Sequence, residues 1–220
     1  IEGSNPRLDN LIIKNNHSTN FGGGMHIVSS PTLENIKIEN NEADELGGGL
    51  YIAMGSSPSI NNVQIIGNSS FHGGGIFISE NAHATINNTL IVENYQSAEN
   101  PNDTIFSFDG YAAVEINGSN IQLDGSTIAN NQSTGILLRN GSNVTLSNSI
   151  YWFNEPIVLD SELLDTINIF YSNIENGIEG LGNIDRNPLF CSISLQDYSL
   201  ATNSPCIGTG QNNSNQGALG

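Results

Sequence analysis

The chain is short of positive charge. It holds 5 lysines and arginines against 22 aspartates and glutamates, a formal net charge of -17. Nucleic acid and anionic membrane surfaces carry the same sign, so neither fits as a partner, whereas cations, neutral glycans and basic proteins do. Long apolar runs are missing as well. No stretch approaches the roughly 18 residues of a transmembrane helix, so no membrane insertion by helices is expected. Charged residues make up only 12% of the chain, which separates it from disordered acidic tails built of charge blocks. There are two cysteines, Cys191 and Cys206, both near the C-terminal end. With the acidic, Asn-rich composition around them, they are expected to form a disulfide in an oxidising compartment. Ile1 is preceded by neither Met nor a signal peptide, and a trimmed or processed export product is the expectation.

What is present is Asn, Ser, Thr and Gly alongside 37% hydrophobic residues, the mark of a turn-rich all-β protein. Sequons such as Asn68-Ser-Ser and Asn143-Val-Thr arise by chance in so Asn-rich a chain and carry no reading. The organising feature is a repeat. Gly22-Gly23-Gly24, Gly47-Gly48-Gly49 and Gly73-Gly74-Gly75 recur at spacings of 25 and 26 residues, each followed by a short apolar segment: Met25-His26-Ile27, Leu50-Tyr51-Ile52 and Ile76-Phe77-Ile78. Upstream lie Leu8-Asp9-Asn10-Leu11, Leu33-Glu34-Asn35-Ile36 and Ile60-Asn61-Asn62-Val63. A second Asn column runs through Asn16, Asn41, Asn68, Asn94, Asn131 and Asn154, at spacings of 25, 27, 26, 37 and 23. The spacing of 37 marks one inserted loop at about residues 95–109, and a degenerate last turn runs from Ile167 to Asn176.

A unit of this size cannot bury its own apolar face, but stacked units share one core. Helical repeats of similar length would need longer apolar-periodic segments rich in Ala, Glu and Lys, which are absent. The expected fold is therefore an all-β, right-handed parallel β-helix of about seven rungs over residues 1–176, with a C-terminal cap over 177–220. At about 4.8 Å per rung the coil is about 34 Å long. Asn at a corner bonds its amide to the next rung as a ladder and tolerates left-handed backbone, and Gly serves corners for steric reasons.

The Asn…Gly-Gly-Gly-aliphatic pattern over about residues 4–176 resembles the pectin-lyase-like superfold and the passenger repeats of polymorphic outer-membrane autotransporters. The closing segment resembles something narrower. Asn187-Pro-Leu-Phe190, Asp197-Tyr-Ser-Leu200, Ser204-Pro-Cys-Ile-Gly-Thr-Gly210 and Gly217-Ala-Leu-Gly220 are similar to the end of bacterial secreted β-helix proteins that carry a surface-anchoring module. The relatives usually have Asp-Ala-Gly after Cys-Ile, where this chain has Gly208-Thr209-Gly210. The resemblance implies a secreted or cell-surface bacterial protein and a tail that closes the open end of the coil. It implies little about chemistry, because the superfold hosts lyases, hydrolases, adhesins and stalks.

The enzyme signatures of that superfold are wanting. Arg-x-Lys is absent, and the basic residues Arg7, Lys14, Lys37, Arg139 and Arg186 fall on different rungs. The reading is thus a non-catalytic module that is glycan-binding, adhesive or a stalk, with a polysaccharide lyase or glycoside hydrolase as the alternative. Two places are candidate sites. Strand alternation puts His26, Tyr51, Phe77, Glu115, Leu137 and Val158 in an outward row, so that His26, Tyr51, Phe77 and Glu115 form a candidate sugar-stacking platform, unless the inserted loop covers it. The inserted loop carries Glu99, Asp103 and Asp109, candidate oxygen ligands for Ca²⁺ in no EF-hand spacing. A third, outward column of Thr32, Ser59, Thr85 and Thr145 is interrupted by Arg7 and Gln122 and does not read as an ice-binding array.

Overall fold

The computed structural model describes residues 4–97, 111–159 and 164–219. They form the expected right-handed parallel β-helix, and no α-helix occurs among the described residues. The first sheet has seven strands: Arg7–Asp9, Thr32–Glu34, Ser59–Asn61, Thr85–Asn87, Asn120–Asp124, Asn143–Ser147 and Thr166–Phe170. The second sheet also has seven: Ile12–Lys14, Lys37–Glu39, Gln64–Ile66, Leu90–Val92, Thr127–Ala129, Ile150–Trp152 and Asn173–Ile174. The third is shorter, with His17–Ser18, Glu42–Leu46, Ser69–His72 and Tyr95–Gln96. The fourth holds Met25–Ile27, Leu50–Ile52, Ile76–Ile78, Ala112–Asn117, Thr134–Arg139 and Val158–Leu159.

The register follows the sequence repeat. Leu8, Leu33 and Ile60 are aligned in the first sheet, Ile13, Ile38 and Ile65 in the second, and Ile27, Ile52 and Ile78 in the fourth. From the second rung onward these side chains are fully buried and merge into one core that runs the length of the coil. Because strands alternate, the middle residue of a three-residue strand faces this core in the first and second sheets, whereas in the fourth the two flanking residues do, as with Met25 and Ile27 or Leu50 and Ile52.

Corner chemistry holds the rungs in register. At the corner after the second sheet, Asn41 Nδ2 donates to Asn68 Oδ1 at 3.0 Å, Asn68 Nδ2 to Asn94 Oδ1 at 3.1 Å, and Asn94 Nδ2 to Asn131 Oδ1 at 3.2 Å. The same oxygens accept the backbone N–H of the preceding Asn, and each Nδ2 reaches back to a carbonyl, as Asn68 does to Ile38 at 3.0 Å. The ladder residues do not themselves adopt left-handed backbone. That task falls to the residue before each: Asn15, Asn40, Gly67, Glu93, Asn130 and Phe153, all with positive φ. Two roles expected of one Asn are therefore divided between neighbours. The corner between the first and second sheets carries a hydroxyl version in later rungs, where Ser126 N donates to Ser149 Oγ at 3.0 Å and Ser149 N to Ser172 Oγ at 3.1 Å.

Each glycine of the triplets answers a different demand. Gly22, Gly47 and Gly73 have φ of +65°, +69° and +61°. A Cβ on Gly23, Gly48 or Gly74 would stand 2.2, 2.2 or 2.3 Å from a carbonyl oxygen of the next rung. One on Gly24, Gly49 or Gly75 would lie 3.1 Å from an Nδ2 of the Asn ladder.

The tail divides into two parts. Residues 181–184 hydrogen-bond over the last strand of the second sheet, with Tyr171 N donating to Leu181 O at 2.8 Å and Ile174 N to Ile184 O at 3.0 Å. The rest folds back as an antiparallel hairpin of Phe190–Ser192 and Asp197–Leu200 and lies along the outer face of the second sheet. There Phe190, Ile193, Tyr198 and Leu219 cover Ile66, Leu90, Val92 and Ala129, while Cys206 packs with Ile150 and Trp152. The expected disulfide is absent: Cys191 and Cys206 are free thiols, the first exposed and the second buried. The reason is parity. Phe190 turns toward the second sheet, so its strand neighbour Cys191 turns away, and Cys206 Sγ instead accepts from Asn173 Nδ2 at 3.1 Å.

Replacing Asn68 by Ala would strand the Asn41 backbone N–H and the Ile38 carbonyl in a dry corner, while Asn94 Oδ1 would keep the backbone N–H of residue 68. We expect this to cost about 2 kcal/mol, from about 1 kcal/mol or more for each unpaired buried group. Asn16→Ala at the exposed start of the ladder should cost less than about 1 kcal/mol. Urea unfolding of the two variants checks the difference.

Candidate functional site

The row His26, Tyr51, Phe77, Glu115, Leu137 and Val158 exists in the expected register across the fourth sheet. Its presentation differs from the expectation. Tyr51 stacks against Phe77 at 5.8 Å and 14° on one side, and against Phe21 at 4.8 Å and 20° on the other. His26 meets Tyr51 edge-on at 4.8 Å. Both faces of Tyr51 are thus used by other rings, and only its edge is left for a ligand. Phe77 is 1% exposed and Glu115 0%. A sugar ring stacks on a free aromatic face, and Tyr51 and Phe77 offer none among the described residues. Burial holds the His26 imidazole below the usual histidine value.

Glu115 is instead the centre of a buried ionic cluster. Arg139 Nε donates to its Oε1 at 2.9 Å, and His72 Nδ1 lies 3.1 Å from its Oε2. All three are almost wholly enclosed. Sequence reasoning placed Glu115 in the row but missed its partners, which come from strand ends: His72 closes the third sheet's strand and Arg139 the fourth's, two residues past Leu137. Among the other basic residues, Arg7 pairs with Glu34 at 2.6 Å, while Lys14 and Lys37 both reach Glu39.

Glu99, Asp103 and Asp109 lie outside the described residues. A cluster that the sequence did not suggest is His17, Glu42 and Asp44, whose candidate ligand atoms all lie within 4.8 Å of one another. His17 and Glu42 face each other across one rung, and His17 Nε2 sits 2.7 Å from Asp44 Oδ1. All three are exposed, and the hydrogen bond to Asp44 raises the His17 imidazole above its ordinary value. The rung spacing could have revealed the pair, since 25 residues separate positions 17 and 42 as they separate Gly22 and Gly47.

Two grooves lie on the described surface. One, of about 280 Å³, lies on the outer face of the first sheet and is lined by His83, Ala84, Thr85, Asn120, Ile121, Gln122, Asn143 and Thr145. The two outward columns of this sheet behave differently. In one, Asp9, Asn61 and Asp124 are engaged by neighbouring rungs, through Asn35 at 2.9 Å, Asn88 at 3.3 Å and Ser147 at 2.6 Å. In the other, the side chains of Thr32, Ser59, Thr85, Gln122 and Thr145 make no hydrogen bond among the described residues, nor does that of Asn120, so their donors and acceptors face solvent. The second groove, of about 420 Å³, follows the corner of the Asn ladder and is lined by Asn40, Gly67, Glu93, Tyr95, Asn130 and Gln132.

The family described as the right handed beta helix region matches residues 1–100 and 98–190. No curated protein and no solved structure matches the chain.

Two outcomes follow from these clusters. Glu115→Ala should cost about 3 kcal/mol in chemical denaturation, because it removes the carboxylate from between two buried basic groups. In an NMR pH titration, His17 should titrate above the usual histidine value of about 6.5 and His26 below it, with Asp44→Asn returning His17 toward that value. The stability due to the His17–Asp44 contact is then complete below the unfolded value and fades as pH rises through the folded one.

Proposed function

Since the chain belongs to the right-handed β-helix family, a scaffold that fixes no chemistry of its own, we propose that it is a non-catalytic module of an exported protein and holds a neutral glycan on its first sheet. The observation that carries this reading is the groove whose Thr85, Asn120, Gln122 and Thr145 side chains have no partner within the protein among the described residues. Sugar hydroxyls each donate and accept, and Thr, Asn and Gln side chains do the same, repeated from rung to rung on a rigid sheet. The net charge of -17 disfavours acidic polysaccharides, and the lining has no carboxylate to hold a cationic one.

The lining also speaks against turnover. Glycoside hydrolysis needs two carboxylates facing across the scissile bond, and the lining holds no carboxylate, lysine or arginine; His83 is its one titratable group. Export is supported by the resemblance of the closing segment to secreted bacterial β-helix proteins.

Affinity electrophoresis through gels containing a xylan, a mannan or a β-glucan tests the proposal. The parent should be retarded by at least one of them and not by polygalacturonate. The Gln122→Ala/Thr145→Ala variant should lose most of that retardation while its stability changes by less than about 0.5 kcal/mol, as is usual for surface substitutions. Equal retardation of the variant would remove the groove from consideration. Reducing ends or unsaturated product that persist through repurification would establish the lyase or hydrolase alternative instead.

A further inference from the structure

The groove along the Asn-ladder corner has a different chemistry from the one on the first sheet. Its floor is Gly67, which stands in the left-handed corner column where the preceding rung has Asn40 and the following rung Glu93. A Cβ here would stand 2.7 Å from Asn40 Oδ1, so the glycine makes room for the Asn40 carboxamide to lie against the corner. Glu93 is the unexpected member. With φ of +59° it takes a backbone conformation that Asn and Gly tolerate and a long side chain does not favour. Its carboxylate is held by the tail, through Gln196 Nε2 at 2.6 Å and Tyr198 OH at 3.0 Å. Fastening the tail requires an acceptor and not a charge, and each carboxylate oxygen keeps a further lone pair.

Tyr95 forms the lip. It is 37% exposed and touches no other ring among the described residues, in contrast to Tyr51, whose two faces are both taken. Asn130 and Gln132 continue the wall with carboxamides, and Asn40 closes the other end. No basic residue lines the groove among the described residues, and the chain as a whole is strongly negative.

We infer that this groove binds a glycan whose sugars carry protonated amino groups. The Tyr95 face takes the apolar side of a ring, the carboxamides take its hydroxyls, and Glu93 takes the ammonium with the Tyr95 π-face beside it. A lysine-rich peptide would use Glu93 and Tyr95 but would leave the carboxamides idle, so the sugar is the better fit. The inference stands apart from the neutral-glycan groove, which lies on another face and contains no carboxylate.

Isothermal titration at pH 6 and low salt with a glucosamine tetramer, an N-acetylglucosamine tetramer and tetralysine provides the test. The glucosamine tetramer should bind, and added salt should weaken it. Glu93→Gln, which keeps an acceptor for the tail, should lose about tenfold in affinity, the worth of one charge-assisted hydrogen bond. Tyr95→Ala and Gln132→Ala, neither of which touches the tail, should each weaken binding too, and Gln122→Ala/Thr145→Ala should leave it unchanged. Equal binding of the acetylated tetramer would show that charge is not read, and equal binding of tetralysine that sugar is not. Either result overturns the inference, as does parental affinity in Glu93→Gln or failure of the glucosamine tetramer to bind.

Discussion

Everything larger than a single rung depends on how the dry corner between the second and third sheets satisfies its polar backbone. A sharp turn placed inside a solenoid leaves N–H and C=O groups where no water reaches, and each would be costly if unpaired. Asn41, Asn68, Asn94 and Asn131 resolve this from within, each side chain serving one rung above and one below. The glycine triplets follow from the same constraint. A Cβ on the third glycine of each would press on a ladder amide at 3.1 Å and on a carbonyl oxygen of the next rung at 2.6 to 3.0 Å. Beyond Asn94 the triplet ends, yet the Asn column continues without it.

That constraint is why so much of the fold was legible. The Asn and Gly columns repeat at the rung period because the backbone demands the same thing at each turn, and core positions such as Ile27, Ile52 and Ile78 inherit the register. Features that depend on neighbours beyond the period were harder to read. Leu90-Ile91-Val92 and Ile150-Tyr151-Trp152 are apolar at every position, the pattern of a strand buried on both faces, and that pattern was the trace of the tail's docking site. The bridge between Cys191 and Cys206 was argued from composition and proximity, whereas strand parity decides which way a thiol points.

The candidate site shows the same division. The row through His26, Tyr51, Phe77 and Glu115 was correct as register, but register does not set ring orientation. The rings satisfied one another, and Glu115 drew in His72 and Arg139 from strand ends that the repeat did not align with it. Binding capacity is better sought where outward side chains have been left without such companions. On the first sheet this separates one column from its neighbour two residues away, and along the corner it separates Tyr95 from Tyr51. A periodic scaffold repeats its solved problems, so departures from the period are where a ligand leaves its mark.

The hairpin that returns along the second sheet has a mechanical consequence. A plain stack of rungs behaves as a one-dimensional chain in which each layer holds only its neighbours, so the ends can fray while the middle persists. Here Tyr198 is bonded to Glu93 across 105 residues of sequence, and Leu219 lies with Ile66 and Leu90. A segment late in the sequence thus splints layers formed by residues far before it. The later rungs cannot peel away singly without first releasing the splint, and the coil gains the cooperativity of a globular domain while keeping the long, regular faces of a solenoid.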